Sequence, residues 1–294
     1  MTVKKQIEEG IIVCPITKNA LVRSSNGKLL KESREDVYYR LENGVIPILL
    51  ENPEWAETYI QNSPKMLGEY SAKALALSKS LFAKIKSVLF QDYGSEQYHR
   101  ALQMHLDSLS EETVNLSIGG GPKRIAEHIT NLNIGLFPNV DVVGDAHALP
   151  YADDSLDFIH SDAVFEHLYD PVKAANEMYR TLKKGKYAFV CTPFMQAYHG
   201  YPHHYQNYTI TGHRQLFQSV GFKVVESDVC VGPIYTIVDI NAAFLNEYLP
   251  FPLNKVLKRM WQGFGIAIKP FDKLLVKKSN SFKLASTTYI ILEK

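Results

Sequence analysis

A segment rich in histidine and tyrosine is the part of this chain best suited to acid–base chemistry. The eleven residues from Tyr198 to Tyr208 contain three histidines and four tyrosines. An imidazole titrates near neutral pH and can take a proton from a hydroxyl, and a tyrosine ring can stack on a substrate. We therefore expect the segment to cap an acceptor pocket, with His199 and His203 facing the acceptor. A solvent-facing aromatic lid is the alternative.

The same histidines could in principle hold a metal ion. Imidazole nitrogens are common metal ligands, and the segment and its surroundings offer His199, His203, His204 and His213. No carboxylate or thiolate lies among them in the sequence. We therefore predict that the chain has no metal site.

A further candidate base, His167, lies in the segment Ser161–His167, which follows an apolar strand pattern. Residues that follow a strand line the cleft at the carboxyl ends of a parallel sheet, where ligands bind. His167 is therefore expected on the acceptor side and Asp162 on the cofactor side. The alternative is that Glu166 and His167 only fix the start of a helix by hydrogen bonds.

The stretch from Val114 to Phe194 contains motifs suited to binding a nucleoside. Gly119, Gly120 and Gly121 end a short apolar run, where glycines let the backbone approach a nucleoside closely. Further motifs follow in order along the chain: Val140–Pro150, Ser155–Ser161, Val164–Leu168 and Glu177–Gly185.

This order of motifs resembles that of the class I S-adenosylmethionine-dependent methyltransferases. The resemblance implies S-adenosylmethionine as the cofactor and assigns it a set of contacts: Ser117, Gly119, Gly120 and Gly121 in the loop, Asn133 at the ribose hydroxyls, Asp145 at the adenine amino group, and the adjacent Ala146 and His147. Ser117 and Asn133 stand where the family usually has acidic residues, and Lys123 stands where it has a glycine. A degenerate fold that serves as a binding or scaffold subunit is therefore the alternative function.

The His-x-Tyr-Pro-His segment at His199–His203 resembles one subgroup of these methyltransferases, often found with sugar and surface-polysaccharide pathways. The resemblance implies a small-molecule or glycan acceptor, with a hydroxyl oxygen as the expected methylation site. His204-Tyr205 and Asn207 depart from the subgroup's usual acidic and basic residues. One of His167, His199 and His203 is expected to act as the base.

Residues 1–53 are predicted to form a small β-rich module. Gly10–Pro15 and Gly44–Leu50 look like strands, the second with Pro47, which suits a sheet edge, and Asn26-Gly27 signals a hairpin. The module resembles the zinc-ribbon-type proteins that activate methyltransferases. Thr17 stands where the second cysteine of a Cys-x-x-Cys pair would be, so the metal ligands are lost. The module is expected to pack on the catalytic domain or recruit substrate, or to be an inert extension.

Residues 54–110 are predicted to be a helical connector, with apolar residues at helical spacing from Ala72 to Leu89 and a second helix from Glu96 to Leu109. Residues 111–294 alternate short apolar strands with helices, which predicts a doubly wound, mostly parallel α/β sheet. The chain ends in a β-branched strand, Thr287–Leu292, which is expected to be antiparallel.

An insertion at about 233–284 is predicted before that last strand. Its apolar stripe is helical, and we expect Gly263, Gly265 and Pro270 to break it into pieces. Residues 253–278 place many lysines opposite this stripe. The stripe could face the core, cover the acceptor site as a lid, or lie on an anionic membrane.

Composition places further limits on function. The chain has 294 residues, 46% hydrophobic content, a net charge of +1 and three widely spaced cysteines. No global charge favours nucleic acid, and no signal peptide or membrane-spanning run is visible. The sequence predicts a cytoplasmic protein, peripheral to the inner membrane face if the basic insert binds lipid. It does not predict an oligomeric state.

Overall fold

The computed structural model describes residues 1–24, 29–32, 37–51, 94–121, 124–199 and 203–294. In these ranges eleven strands form one sheet in the order β1-β2-β3-β4-β7-β6-β5-β8-β9-β11-β10. The strands are β1 (Leu21–Arg23), β2 (Leu29–Glu32), β3 (Tyr38–Glu42), β4 (Ile46–Leu49), β5 (Asn115–Ile118), β6 (Thr130–Asn133), β7 (Val142–Gly144), β8 (Leu156–Asp162), β9 (Leu182–Pro193), β10 (Lys223–Val231) and β11 (Thr287–Glu293). The helices are α1 (Val3–Glu8), α2 (Glu96–Leu106), α3 (Pro171–Thr181), α4 (Ile210–Ser219), α5 (Pro233–Tyr248), α6 (Leu253–Ile268) and α7 (Asp272–Leu275).

Strands β7, β6, β5, β8 and β9 are parallel and form the middle of the sheet. β11 lies between β9 and β10 and is antiparallel to both, as expected for the last strand of the predicted fold. The chain runs outward from β5 in one direction through β6 and β7, then in the other through β8 and β9. The crevice at the carboxyl ends of β5 and β8 is therefore the topological switch point, where ligands bind in open α/β sheets.

The described strands of the N-terminal segment continue this sheet. β4 pairs in parallel with β7 and antiparallel with β3, so the prediction that Pro47 marks an edge strand is wrong. Pro47 is opposite Leu41 of β3, whereas the pairing with β7 is formed by Ile48 and Leu49, so the missing N–H is tolerated. The strand predicted at Gly10–Pro15 is reduced to single bridges at Ile12 and Val13, after the unpredicted helix α1.

The N-terminal segment also covers a part of the sheet where helices were expected. The described residues that connect β5 to β6 and β6 to β7 form no helix, contrary to the predicted alternation. Ile7 and Ile12 instead pack in one buried cluster with Leu132 and Val142 of β6 and β7. Gln6 Nε2 donates to Thr130 Oγ1 at 2.9 Å. The sheet can do without helical connections here because the chain's own N-terminus buries the apolar side chains.

The insertion is helical, but it differs from prediction in two respects. α6 continues through Gly263 and Gly265. A Cβ on Gly265 would lie only 2.6 Å from Val238 of α5. Glycine therefore permits close packing of the two helices there, and the break comes at Pro270. Of the three alternatives for the apolar stripe, the core-facing one is wrong, because more than half of the members of the stripe are exposed, among them Leu253, Val256, Met260, Phe264, Phe271 and Leu274.

Three predictions lie outside the described residues: the helix from Ala72 to Leu89, the Asn26-Gly27 hairpin and the loop position of Lys123. The second predicted helix of the connector is confirmed as α2, with Ser95 as its N-cap. Ser95 Oγ also donates to the Val229 carbonyl at 2.7 Å, which attaches the start of α2 to β10.

Candidate functional site

The glycine loop that follows β5 is shaped by close contact with the turn after β8. Gly119 has φ of 71°, which L-residues rarely adopt, and its N–H donates to the Leu132 carbonyl at 2.8 Å. A Cβ at Gly119 would lie 2.2 Å from Val164 Cγ2. The backbone of Ala163, in the turn after β8, is also in the left-handed region, with φ of 53°. This strained turn places the next residue, Val164, against the glycine loop.

Gly120 allows the loop to pack against β6. A Cβ at Gly120 would lie 2.0 Å from Asn131 Oδ1 and 2.8 Å from Ser117 Oγ. Asn131 is buried, and its Nδ2 donates to the carbonyls of Gly121 and Asn139 at 3.2 and 2.9 Å. Asn131 was missed in the sequence because a polar residue within a short strand gives no sign of what it supports.

Ser117 and Asn133, the two expected cofactor contacts that replace acids, already have protein partners. Ser117 is buried, with Oγ 3.3 Å from Nδ1 of His160. Asn133 lies at the end of β6, and its Oδ1 accepts from the N–H of Gly135 at 3.1 Å. Its amide NH₂ is the group left to donate to a ribose hydroxyl.

Asp145 follows β7 and caps the short 3-10 turn Ala146–Ala148. Its Oδ1 accepts from both the backbone N–H and the Nδ1 of His147, at 2.9 and 2.6 Å. His147 Nε2 accepts from the N–H of Asp170 at 3.3 Å, and its ring stacks on Tyr169 with centroids 4.1 Å apart. The buried His147 thus holds Asp145, and the described contacts leave Oδ2 available to accept from a ligand amino group.

Arg180, on α3, holds the rest of this segment. Its guanidinium donates to the carbonyls of Leu149 and Tyr151 at 3.1 and 2.8 Å and forms ion pairs with Asp153 and Glu177. These charge-assisted bonds raise the pKa of Arg180 despite its partial burial. The sequence placed Arg180 in a matching motif without indicating this role.

Asp162 lies at the carboxyl end of β8 and is exposed within the crevice. The protein atoms that surround it still desolvate its carboxyl and raise the pKa of Asp162 to about 6. An acidic group with a raised pKa therefore stands at the carboxyl end of β8, where the sequence places a cofactor contact.

Glu166, His167 and His199 meet in one cluster, which we call the Glu–His cluster. Glu166 is completely buried, and Oε1 lies 3.7 Å from His167 Nε2 and 3.8 Å from His199 Nε2. The carboxylate raises the pKa of His199 above its ordinary value. The fold thus brings His199, from the histidine–tyrosine segment, to His167 and its neighbour Glu166, so two of the three predicted catalytic histidines share one carboxylate.

The histidine–tyrosine segment is tied to the turn that carries Glu166. The N–H of Tyr205 donates to the Glu166 carbonyl at 2.8 Å, and Gln206 Nε2 donates to the carbonyls of Phe165 and Leu168, each at 2.9 Å. His203 has an exposed side chain and contributes its backbone carbonyl, which accepts from His167 Nδ1 at 2.6 Å. The described structure therefore does not place the His203 ring in the Glu–His cluster.

The insertion lies near the same cluster. The charges of Asp239 on α5 and His199 act on each other, so that Asp239 contributes to the raised pKa of His199. Asp239 also lines a cavity of about 150 Å³ between α5 and α6, together with Gln262 and Lys269. Burial raises the pKa of Asp239.

These groups fit a nucleoside cofactor. A Cβ at Gly121 would meet no atom within 4 Å, so the third glycine has open space beside it. Asp145 Oδ2 can accept from an adenine amino group, and Asn133 can donate to a ribose hydroxyl. The glycine loop, Asn133 and Asp145 lie at the carboxyl ends of β5, β6 and β7, which are consecutive strands in the sheet.

Comparison with known proteins identifies this region. Residues 94–190 match a family model described as a methyltransferase domain. A search of curated proteins gave no match. Among solved structures, phosphoethanolamine N-methyltransferase 2 of Haemonchus contortus with S-adenosyl-L-methionine is 14% identical, with a TM-score of 0.42, and the match covers 71% of this chain and 55% of that one.

Two further solved structures are similar at the same low level. The complex that contains the Haloferax volcanii Trm112 methyltransferase activator matches with 15% identity and a TM-score of 0.42, covering 67% of this chain and 90% of that one. An S-adenosylmethionine-dependent methyltransferase from Mesorhizobium loti matches with 10% identity and a TM-score of 0.39, covering 66% and 96%.

The matched segment contains β5 to β8 with the glycine loop, Asp145 and Glu166. The predicted α/β methyltransferase fold is confirmed, and so are the enzyme class, an S-adenosylmethionine-dependent methyltransferase, and its cofactor. No helix in the described ranges is long and apolar enough to cross a membrane.

Proposed function

We propose that the chain transfers a methyl group from S-adenosylmethionine to a hydroxyl oxygen of a small-molecule or glycan acceptor. One observation carries the proposal. Val164 packs on Gly119 of the expected cofactor loop, and two residues later Glu166 joins His167 and His199. A group able to assist loss of a hydroxyl proton therefore lies directly beside the loop that would hold the methyl donor.

On the cofactor side, the residues that would hold S-adenosylmethionine are the backbone of Gly119–Gly121 with Asn133, Asp145, Ala146 and Asp162. In this proposal Ser117 and His147 support the site, since each is bound to another side chain. The cofactor supplies a methyl group on a good leaving group. The protein is left to align the acceptor and to assist proton removal.

On the acceptor side, the aromatic residues of the segment suit a sugar or a small ring. Tyr198 is 75% exposed and stacks on His204 with centroids 5.6 Å apart, which offers a flat apolar surface edged by imidazole nitrogens. Such surfaces combine stacking with hydrogen bonding to hydroxyls. Asp239 and the cavity between α5 and α6 would form the opposite wall.

The test is methyl transfer from labelled S-adenosylmethionine to a panel of glycosides, hydroxylated small molecules and, for comparison, amines without a hydroxyl group. We expect Glu166→Gln and His199→Asn to lower kcat at least tenfold while binding of S-adenosylhomocysteine is unchanged. His99→Gln, on the exposed face of α2, is the matched control and should retain full activity. Transfer to nitrogen acceptors only, or unchanged kcat in both cluster variants, would contradict the proposal.

We further propose that the insertion binds an anionic membrane surface, so that a lipid-linked acceptor can reach the site. The supporting observation is an exposed apolar patch on α5, α6 and their connection: Tyr248, Phe251, Leu253, Val256, Met260 and Phe264. Lys255 and Arg259 are exposed on the same helix, and Lys255 lies 5.1 Å from the Phe251 ring centroid. Aromatic and basic residues side by side are typical of interfacial helices.

Co-sedimentation with vesicles tests this contact. We expect binding to anionic vesicles at low salt, loss at high salt, and loss in the variant Phe251→Ser/Met260→Ser. Val45→Ser, which removes an apolar side chain that is 66% exposed outside the insertion, should bind as the native chain does. No sedimentation at low salt would refute membrane contact and leave the methyltransferase proposal intact.

The N-terminal segment is proposed to act as a built-in support of the catalytic domain, as its resemblance to methyltransferase activators suggests. Its supporting contacts are the β4–β7 pairing and the bond from Gln6 to Thr130. Cys14 is buried, with Sγ 3.1 Å from the Tyr39 hydroxyl and 3.4 Å from the Thr17 N–H. Cys14 stands where the resembled proteins have a metal ligand, and here hydrogen bonds fix its side chain.

A further inference from the structure

Glu166 is a buried carboxylate with no hydrogen-bond partner for either side-chain oxygen within the described structure. A buried charge is costly unless it is paired or binds a cation. The neighbouring Nε2 atoms of His167 and His199, at 3.7 and 3.8 Å, are too distant to be hydrogen-bond donors. Oε1 of the carboxylate therefore lies within ion-pair distance of both imidazoles but is hydrogen-bonded to neither.

The hydrogen bonds of the two rings leave their Nε2 atoms as possible ligands. His167 Nδ1 is 2.6 Å from the His203 carbonyl, and His199 Nδ1 is 3.0 Å from the Ala197 carbonyl. A carbonyl can only accept, so each Nδ1 carries the hydrogen and each neutral ring has its lone pair on Nε2. Metal-ligating histidines are oriented in this way, with the remaining ring nitrogen bound to a carbonyl or carboxylate.

A third histidine of the segment is excluded as a ligand and serves to position the others. His204 Nδ1 accepts from the His199 N–H at 3.1 Å, and its Nε2 is 2.7 Å from Asn207 Oδ1. Both of its nitrogens are therefore used. Its ring lies against that of His199, with centroids 4.3 Å apart, which fixes the orientation of His199 before any ligand binds.

We propose that Glu166, His167 and His199 bind one divalent transition-metal ion, with Zn²⁺ as the best fit. Their three ligand atoms lie within 4.8 Å of one another. Zinc bonds of about 2.0–2.2 Å place such atoms roughly 3.0–3.6 Å apart, so rotation of the side chains by small amounts completes the site. Two imidazoles favour zinc over Mg²⁺ or Ca²⁺, which take oxygen ligands.

The ligand set leaves room for an acceptor. Catalytic zinc sites have three protein ligands and an open position for water or substrate. The side chain of His199 is 41% exposed, so one side of the cluster is accessible, while Glu166 closes the other. The sequence argued against a metal because no carboxylate lies among the histidines of the segment; the fold supplies Glu166 from the turn after β8.

The role of the ion rests on the proposed function. A hydroxyl bound to zinc loses its proton to water near neutral pH. Its oxygen then forms a bond to the methyl carbon as the carbon–sulfur bond breaks, and the electron pair of that bond stays on sulfur. In the metal-bound enzyme, His167 and His199 would act as ligands and not as bases, and the ion would lower the pKa of the acceptor hydroxyl.

Metal binding is measured on the full chain after treatment with a chelator, without cofactor or acceptor. We expect calorimetry to give one Zn²⁺ per chain, and Co²⁺ to give the visible absorption of a site with imidazole ligands. Glu166→Gln and His199→Asn should each weaken Zn²⁺ binding at least 100-fold, with far-ultraviolet circular dichroism confirming that they fold. His99→Gln should bind as the native chain does, and Mg²⁺ should give no heat.

Several outcomes separate this inference from the proposed function. No Zn²⁺ binding, or equal binding in His199→Asn, overturns the metal site even if methyl transfer is observed. Zn²⁺ binding that requires the cluster supports the site even if no acceptor of the panel is methylated, a result that counts against the proposed function alone. Full activity of the chelator-treated protein overturns the catalytic role of the ion.

Discussion

Replacement of Gly119 by alanine should destabilise the chain for two separable reasons. The φ of 71° costs a residue with a Cβ about 1–2 kcal/mol. The new Cβ would also lie 2.2 Å from Val164 Cγ2, and such overpacking costs about 1–3 kcal/mol. We therefore expect Gly119→Ala to lower the free energy of unfolding by about 2–5 kcal/mol and to weaken binding of S-adenosylhomocysteine.

Two further variants isolate these contributions. Gly185 has φ of 72° and a Cβ there would meet no atom within 4 Å, so Gly185→Ala should cost only the backbone part, about 1–2 kcal/mol. In a Val164→Ala background the clashing methyl is absent, so the added cost of Gly119→Ala should fall by about 1–3 kcal/mol. Urea unfolding followed by circular dichroism measures the free energy of unfolding of Gly119→Ala, Gly185→Ala, Val164→Ala and the double variant Gly119→Ala/Val164→Ala. Additive effects of the changes at 119 and 164 would refute the claim that Val164 packs on the glycine loop.

Three other predictions follow from the described contacts. Burial lowers the pKa of His160 to about 4 and that of His213 to about 3, so the unfolded chain binds more protons than the folded chain below about pH 6.5. The free energy of unfolding should therefore fall by about 1.4 kcal/mol per pH unit for each histidine from pH 6.5 to 4. In urea titrations, His160→Gln should reduce that slope and His99→Gln should not. Buried Asp272 accepts from the N–H groups of Ile234 and Tyr235 at 2.9 and 2.8 Å, so Asp272→Ala should cost about 2–3 kcal/mol in thermal or urea unfolding, and a cost below about 0.5 kcal/mol would contradict this role. Gly121→Ala meets open space, so it should leave the unfolding free energy within about 0.5 kcal/mol but weaken calorimetric binding of S-adenosylhomocysteine; unchanged binding would place the cofactor elsewhere.

Local sequence patterns predicted the parts of the fold that depend on neighbouring residues. The apolar run before Gly119 became β5, and the β-branched run Thr287–Leu292 became the antiparallel strand β11. The patterns could not show what covers each strand. The missing helices between β5, β6 and β7 are replaced by the N-terminal residues Ile7 and Ile12, a long-range contact without a local signal.

The candidate site shows the same division. The positions of Asp145 and of the glycine loop follow from motifs, and the structure places them after β7 and β5, the two strands that flank β6 in the sheet. The pairing of Glu166 with His199 depends on how the segment after β9 folds back onto the turn after β8, which no spacing rule encodes. The support of Asp145 by His147 and Tyr169 likewise becomes visible only in three dimensions.

The central claim is that a working cofactor site lies at the carboxyl ends of β5, β6 and β7, and titration with S-adenosylhomocysteine tests it most directly. Asp145→Asn keeps the Oδ1 that binds His147 but replaces the oxygen that would accept from the adenine amino group. We predict micromolar binding by the native chain and by the control Asp107→Asn, and binding weaker by about 10- to 150-fold in Asp145→Asn. No heat with the native chain, or the same affinity in Asp145→Asn, would contradict the account.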